Sequence, residues 1–115
     1  MRKEFVVTLP LNDAQKKALE DVAASHGSGW NFTYTDRDDH EAVRSAAILV
    51  GEARLADVRQ AVSLEWYQLH SAGFDMYCAD GILPEGCVLT NAGGLYGPVV
   101  SEHMLALTLA VIRRL

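Results

Sequence analysis

The sequence predicts an α/β fold, a three-layer domain built on about five parallel strands. Three observations carry that expectation. Short apolar or alternating runs recur along the chain with helical segments between them. One run, Ala47-Ile48-Leu49-Val50-Gly51, is apolar without interruption, as suits a strand buried on both faces. Strands joined by connections of helical length form right-handed βαβ units, and these make a mostly parallel sheet.

The elements follow in order. Phe5 to Leu9 reads as a first strand, closed by Pro10. Asn12 or Asp13 caps a helix from Ala14 to Ala24, in which Ala14, Ala18, Leu19, Val22 and Ala23 recur at helical spacing. Gly27-Ser28-Gly29 breaks it. Trp30 to Thr35 alternates aromatic and polar residues, a strand pattern. Asp38 or Asp39 opens a short helix to about Ser45, with both acids placed against the helix dipole. After the apolar 47–51 run, Ala53 to Val62 is helical. Glu65 to His70 is a fourth strand, with Trp66, Gln68 and His70 on one side and Tyr67 and Leu69 on the other. Pro84-Glu85-Gly86 is turn chemistry, and Val88 to Ala92 is a fifth strand. Gly93 to Pro98 is a loop, and Pro98 suits the first turn of a helix running to Leu115. The arrangement is flavodoxin-like: residues 1–97 form the domain and residues 98–115 a long terminal helix.

Composition excludes several classes. The chain has 115 residues, 50% hydrophobic and 22% charged, which suits one globular domain. Its net charge is −5 and no basic run exceeds Arg113-Arg114, so it lacks the positive footprint of a nucleic-acid binder. No signal-peptide pattern follows Met1. The terminal segment is interrupted by Glu102, His103 and Thr108 and is too short and polar to span a membrane. Cys78 and Cys87 make no disulfide framework and fit a reducing, cytoplasmic setting. His26, His40 and His70 have no partners at metal-ligand spacing, so no metal is expected.

The terminal helix is the oddest feature. Val99, Val100, Met104, Leu105, Leu107, Leu109, Val111, Ile112 and Leu115 leave it little polar face. A helix apolar nearly all round is a buried one, and a single sheet covers only one side of it. A second domain or a second subunit is expected on the other side. A homodimer or higher oligomer through this region is the expected assembly.

Ligands of such sheets collect at the carboxyl ends of the strands. Two loops fall there: Ser71 to Asp75, and Asn91 to Pro98. The stretch Leu64-Glu65-Trp66-Tyr67-Gln68-Leu69-His70-Ser71-Ala72-Gly73-Phe74-Asp75 resembles a signature of the D-isomer-specific 2-hydroxyacid dehydrogenases. So does the stretch from Leu83 to His103, with Thr90-Asn91 ending a strand, Gly97-Pro98 entering a helix, and Ser101-Glu102-His103 within it. Residues 64–115 resemble the family in order and spacing, and residues 1–63 only in their βαβ rhythm.

The resemblance implies the substrate-binding domain of an oxidoreductase that interconverts 2-keto acids and D-2-hydroxy acids. NAD or NADP would be held mainly by a further Rossmann domain. Gly93-Gly94 is not the phosphate loop of such a domain, because the third glycine and the downstream acid are missing. The family's catalytic arginine, glutamate and histidine lie beyond position 115, so no catalytic residue is carried over, and the 115 residues alone should be inactive. Carried over is substrate binding: the backbone amides of Ala72 and Gly73 would hold the substrate carboxylate. Gly73 suits this by permitting a tight turn and close approach, and successive amides in a turn make an anion nest. Ser71 would contact substrate or cap the turn, and Asp75 would cap it. Tyr96 would face the substrate cleft or pack at the domain interface. Asn91 would tie down its own loop. Glu102 and His103 point to different sides of their helix and form no dyad. The alternative is a free-standing flavodoxin-like binding or signalling module. Against two forms of it, Thr8-Leu9-Pro10 supplies neither the acids of a receiver domain nor a flavodoxin's phosphate loop.

Overall fold

The computed structural model describes residues 2–27 and 29–115; Met1 and Ser28, the middle of the Gly27–Gly29 break, lie outside them. The elements are β1 (Lys3–Val7), α1 (Asp13–Ser25), β2 (Trp30–Tyr34), α2 (His40–Ser45), β3 (Ile48–Val50), α3 (Leu55–Gln60), β4 (Trp66–Gln68), β5 (Val88–Thr90) and α4 (Gly97–Arg113). Every strand pair is parallel, in the order β2-β1-β3-β4-β5. This is the flavodoxin-like order of a doubly wound sheet, whose winding reverses beside β1.

Local chemistry explains the boundaries. Asn12 caps α1 through a capping box: its Oδ1 accepts from the Gln15 amide at 2.8 Å, and its own amide donates to Gln15 Oε1 at 2.9 Å. Asp39 caps α2 by accepting from the Ala42 amide at 3.2 Å. β4 and β5 stop short of His70 and Ala92, where the expected strands ended. Past Leu69 and Thr90 the backbone of one loop bonds the other loop rather than the sheet ladder. No α-helix joins β4 to β5. A single 3₁₀ turn, Asp75–Tyr77, stands there instead, in a segment broken by Gly73, Gly81, Pro84 and Gly86.

The register sorts the sheet into rows. Val6, Leu49, Tyr67 and Leu89 align across β1, β3, β4 and β5. They face α2, α3 and the 3₁₀ segment, and pack with Val43, Val58, Leu64, Tyr77 and Ile82. The buried Tyr67 hydroxyl donates to the Gly51 carbonyl at 3.0 Å, and burial pushes its phenol far up. On the other face Phe5, Ile48, Trp66 and Val88 form the matching row, and α1 lies over the β1–β2 end through Leu19. Along this row exposure climbs from 5% at Phe5 through 9% and 37% to 56% at Val88.

One glycine is required by the packing. Gly51, at the carboxyl end of β3, has φ +114°, and a Cβ there would stand 2.5 Å from Thr8 Oγ1.

α4 differs from the expectation of a buried helix. Its large apolar side chains are each half exposed or more, and none is buried. Neither its own sheet nor any other described element covers it. The radius of gyration is 17.4 Å, against roughly 13 Å for a compact chain of this length. Among the described residues no helix is long and apolar enough to cross a membrane.

Candidate functional site

The loops after β4 and β5 are stitched together by three successive carbonyls. The His70 carbonyl accepts from the Tyr96 hydroxyl. The Ser71 carbonyl accepts from the Ala92 amide at 2.9 Å. The Ala72 carbonyl accepts from Asn91 Nδ2 at 2.9 Å. Asn91 Oδ1 also takes the Gly93 amide at 3.3 Å, so this one side chain anchors both loops.

The stitching orients the amides. In a trans peptide the N–H points opposite to the C=O, and no cis bond occurs among the described residues. The peptide carrying the Ser71 carbonyl therefore turns the Ala72 N–H away from the β5 loop. The peptide carrying the Ala72 carbonyl does the same for Gly73. Among the described residues neither amide has a hydrogen-bond acceptor, and both residues are exposed. Two adjacent donors thus stand free on one side of a braced loop.

The sequence-derived site residues fall as follows. Ala72 and Gly73 supply the free amides. Gly73 is not needed for the turn: its φ lies outside the left-handed region. Its lack of a side chain instead leaves open space, since a Cβ would meet nothing within 4 Å. The Ser71 hydroxyl donates to the Gly73 carbonyl at 3.1 Å, bracing the turn. The Tyr96 proton is spent on His70, which pins the start of α4 to the β4 loop. Asp75 begins the 3₁₀ turn, and its carboxylate makes no cap. Glu102 and His103 are exposed on α4.

Two features escaped the sequence reading. An open cavity of about 590 Å³ beside Asn91 is lined by Phe74, Cys78, Leu89 and Thr90 as well. Phe74, an exposed aromatic after the amide pair, was the available signal. The second is a charge cluster between α2 and α3. Asp57, 1% exposed, accepts from His40 Nδ1 at 2.6 Å and Arg44 Nε at 2.9 Å. Burial alone would push the carboxyl up, but the His40 and Arg44 hydrogen bonds outweigh it and hold it below the usual carboxylate range. The i, i+4 spacing of His40 and Arg44 on one helix face was its signal. The cluster ties two helices together.

A dinucleotide does not fit the glycine turn before α4. The Gly93 amide goes to Asn91 Oδ1 and the Leu95 amide to the Ala92 carbonyl, so the turn cannot offer a pyrophosphate an open row of donors. Among the described residues no group of three His, Cys, Asp or Glu side chains is placed to hold a metal ion. No family model, curated protein or solved structure matches the chain.

Proposed function

We propose that the chain is the substrate-binding part of an NAD(P)-dependent D-2-hydroxyacid dehydrogenase, in which the amides of Ala72 and Gly73 grip the carboxylate of a small 2-keto or 2-hydroxy acid. One observation carries the reading. Among the described residues, two consecutive N–H groups at the carboxyl end of β4 are left without acceptors, while the carbonyls of the same peptides are tied to the next loop. A carboxylate offers two oxygens to such a pair, and charge-assisted hydrogen bonds are the strong ones. Ser71, Asn91 and Tyr96 act as positioning residues, since their polar atoms brace the loop. The motif resemblance over residues 64–115 supplies the reaction class. Cofactor and acid–base groups would come from outside these residues, so this chain's part is to bind and orient.

The test is a titration of the ¹⁵N-labelled chain with pyruvate, using acetone as the control that lacks a carboxylate. Pyruvate should shift the Ala72 and Gly73 amide signals and acetone should not. Saturable pyruvate binding that leaves both amides unmoved would falsify the assignment, as would equal shifts from acetone. The 115-residue chain mixed with NADH and glyoxylate should give no turnover; oxidation of NADH would contradict the reading that the reacting groups lie elsewhere.

A further inference from the structure

We infer that Glu52 is a specificity-determining residue: it restricts the amide site to acids whose sole negative group is the gripped carboxylate, so that the substrate is a 2-keto or 2-hydroxy monocarboxylate with an uncharged side chain. The inference rests on the carboxylate reading and narrows it to a substrate class.

The geometry begins with the strand order, in which β4 lies between β3 and β5. The Ser71 carbonyl is turned to the β5 loop, so the Ala72 N–H of the same trans peptide is turned toward the β3 side. The loop on that side is Gly51-Glu52-Ala53-Arg54. Neighbouring strands lie about 4.8 Å apart, and this loop starts in contact with β4. The Gly51 amide donates to the Gln68 carbonyl at 3.0 Å, and the Gly51 carbonyl accepts from the Tyr67 hydroxyl at 3.0 Å. A ligand on the amide pair therefore has the Glu52 loop as its neighbour.

The local charge then selects the ligand. The amides carry no formal charge and take one carboxylate through hydrogen bonds. A second anionic group needs a cation of its own. The loops at the carboxyl ends of the strands, residues 8–12, 35–39, 51–54, 69–74 and 91–96, hold two arginines, Arg37 and Arg54, and no lysine. Against them stand four acids, Asp36, Asp38, Asp39 and Glu52. Both arginines are already engaged: Arg37 Nη1 with Glu52 Oε1 at 2.6 Å, and Arg54 Nη2 with Asp38 Oδ1 at 2.7 Å. A second anion would thus meet an excess of like charge, which acts over a Debye length of roughly 10 Å at 0.1 M salt. Of the four acids Glu52 alone is on the loop beside the amides; the others follow β2, beyond β1.

Backbone atoms hold this loop. Thr8 Oγ1 donates to the Glu52 carbonyl at 2.6 Å, and Gly51 makes the turn that brings it there. The Glu52 carboxylate is half exposed in its pair with Arg37, and a surface pair of this kind adds little to stability. Its charge can therefore be removed without unmaking the loop.

Two keto acids of equal chain length isolate the charge. 2-Oxopentanoate and 2-oxoglutarate share the 2-keto carboxylate and differ in a terminal methyl against a terminal carboxylate. The ¹⁵N-labelled chain should be titrated with each at low salt and about pH 8, where unperturbed histidines are neutral. Both should shift the Ala72 and Gly73 amides, with 2-oxopentanoate binding at least about tenfold more tightly, and added salt should narrow that ratio. Glu52→Gln removes the charge and releases Arg37, so the ratio should fall by about threefold or more. Glu65→Gln makes the same change in the Lys3–Glu65 pair at the amino ends of the strands and should leave the ratio as it is. Equal or tighter binding of 2-oxoglutarate at the two amides overturns the inference and leaves the carboxylate reading standing. A ratio that survives Glu52→Gln, or falls as far in Glu65→Gln, overturns the role of Glu52. Failure of 2-oxopentanoate itself to move the two amides overturns the carboxylate reading and this inference with it.

Discussion

On one face of the sheet the row Val6, Leu49, Tyr67 and Leu89 is roofed by α2, α3 and the segment carrying Tyr77 and Ile82. On the other, the row Phe5, Ile48, Trp66 and Val88 is roofed only at the α1 end, and exposure climbs steadily toward β5. The side chains of the two rows are of the same kind. What differs is the supply of cover. The first face receives both short helices and the 3₁₀ crossover. The second receives α1 alone, because α4, the last helix, leaves the body instead of returning over β4 and β5. Apolar character in a strand therefore registers a demand for burial, and the connections decide whether the chain meets it.

The sharpest way to break this comparison is to truncate matched rows. Leu49→Ala on the sealed face should cost about 3 kcal/mol, the transfer loss plus the cavity it leaves. Val88→Ala on the open face should cost well under about 1 kcal/mol, since its side chain is already 56% exposed. Urea denaturation of each variant measures both. Equal costs would mean that the second face is covered in the monomer after all.

The charge cluster over the sealed face sharpens the contrast through pH. Asp57 is held below the usual carboxylate range by His40 and Arg44. A depressed carboxyl stabilises the fold above its unfolded pKa of about 3.9 and loses that contribution as the pH falls through the folded value. Asp57→Asn should therefore destabilise by about 2 kcal/mol at neutral pH. The gap between variant and parent should narrow below about pH 4. The readout is the urea midpoint at several pH values; a gap that persists undiminished in acid would assign the effect to packing, not charge.

Much of the fold was legible because it is local. The strand–helix alternation, the helix cap at Asn12 or Asp13 and the placing of Tyr67 and Leu69 on one side of their strand all follow from periodicity or from side chains that bond nearby amides. The pairing of Asp57 with His40 and Arg44 was legible only in part: i, i+4 spacing puts the two bases on one helix face, but the acid they meet is 17 and 13 residues away. The state of α4 was half legible: its composition announces burial, but composition cannot name the neighbour. The site divides the same way. Asn91 was read as a loop anchor and is one. Ala72 and Gly73 were singled out by motif resemblance alone, whereas the direction of their amides depends on Asn91 and Ala92, donors from another loop that no reading of residues 70–75 contains. Gly73 was expected for its backbone freedom, and its use is the open space above it.

The smallest expected effect separates bracing from binding within that site. The Tyr96 hydroxyl proton already belongs to the His70 carbonyl, and the ring is 48% exposed. Tyr96→Phe removes one solvent-accessible hydrogen bond, a loss of about 0.5 kcal/mol at the low end of the usual range. If the amides carry the carboxylate and Tyr96 only pins α4, pyruvate affinity should stay within about twofold, because a 0.4 kcal/mol change is about that factor. Native-state hydrogen exchange in the first turn of α4 should quicken at the same time, since the pin that steadies it is gone. A large loss of pyruvate affinity with unchanged exchange would reverse the roles and make the phenol, not the peptide backbone, the group that meets the ligand.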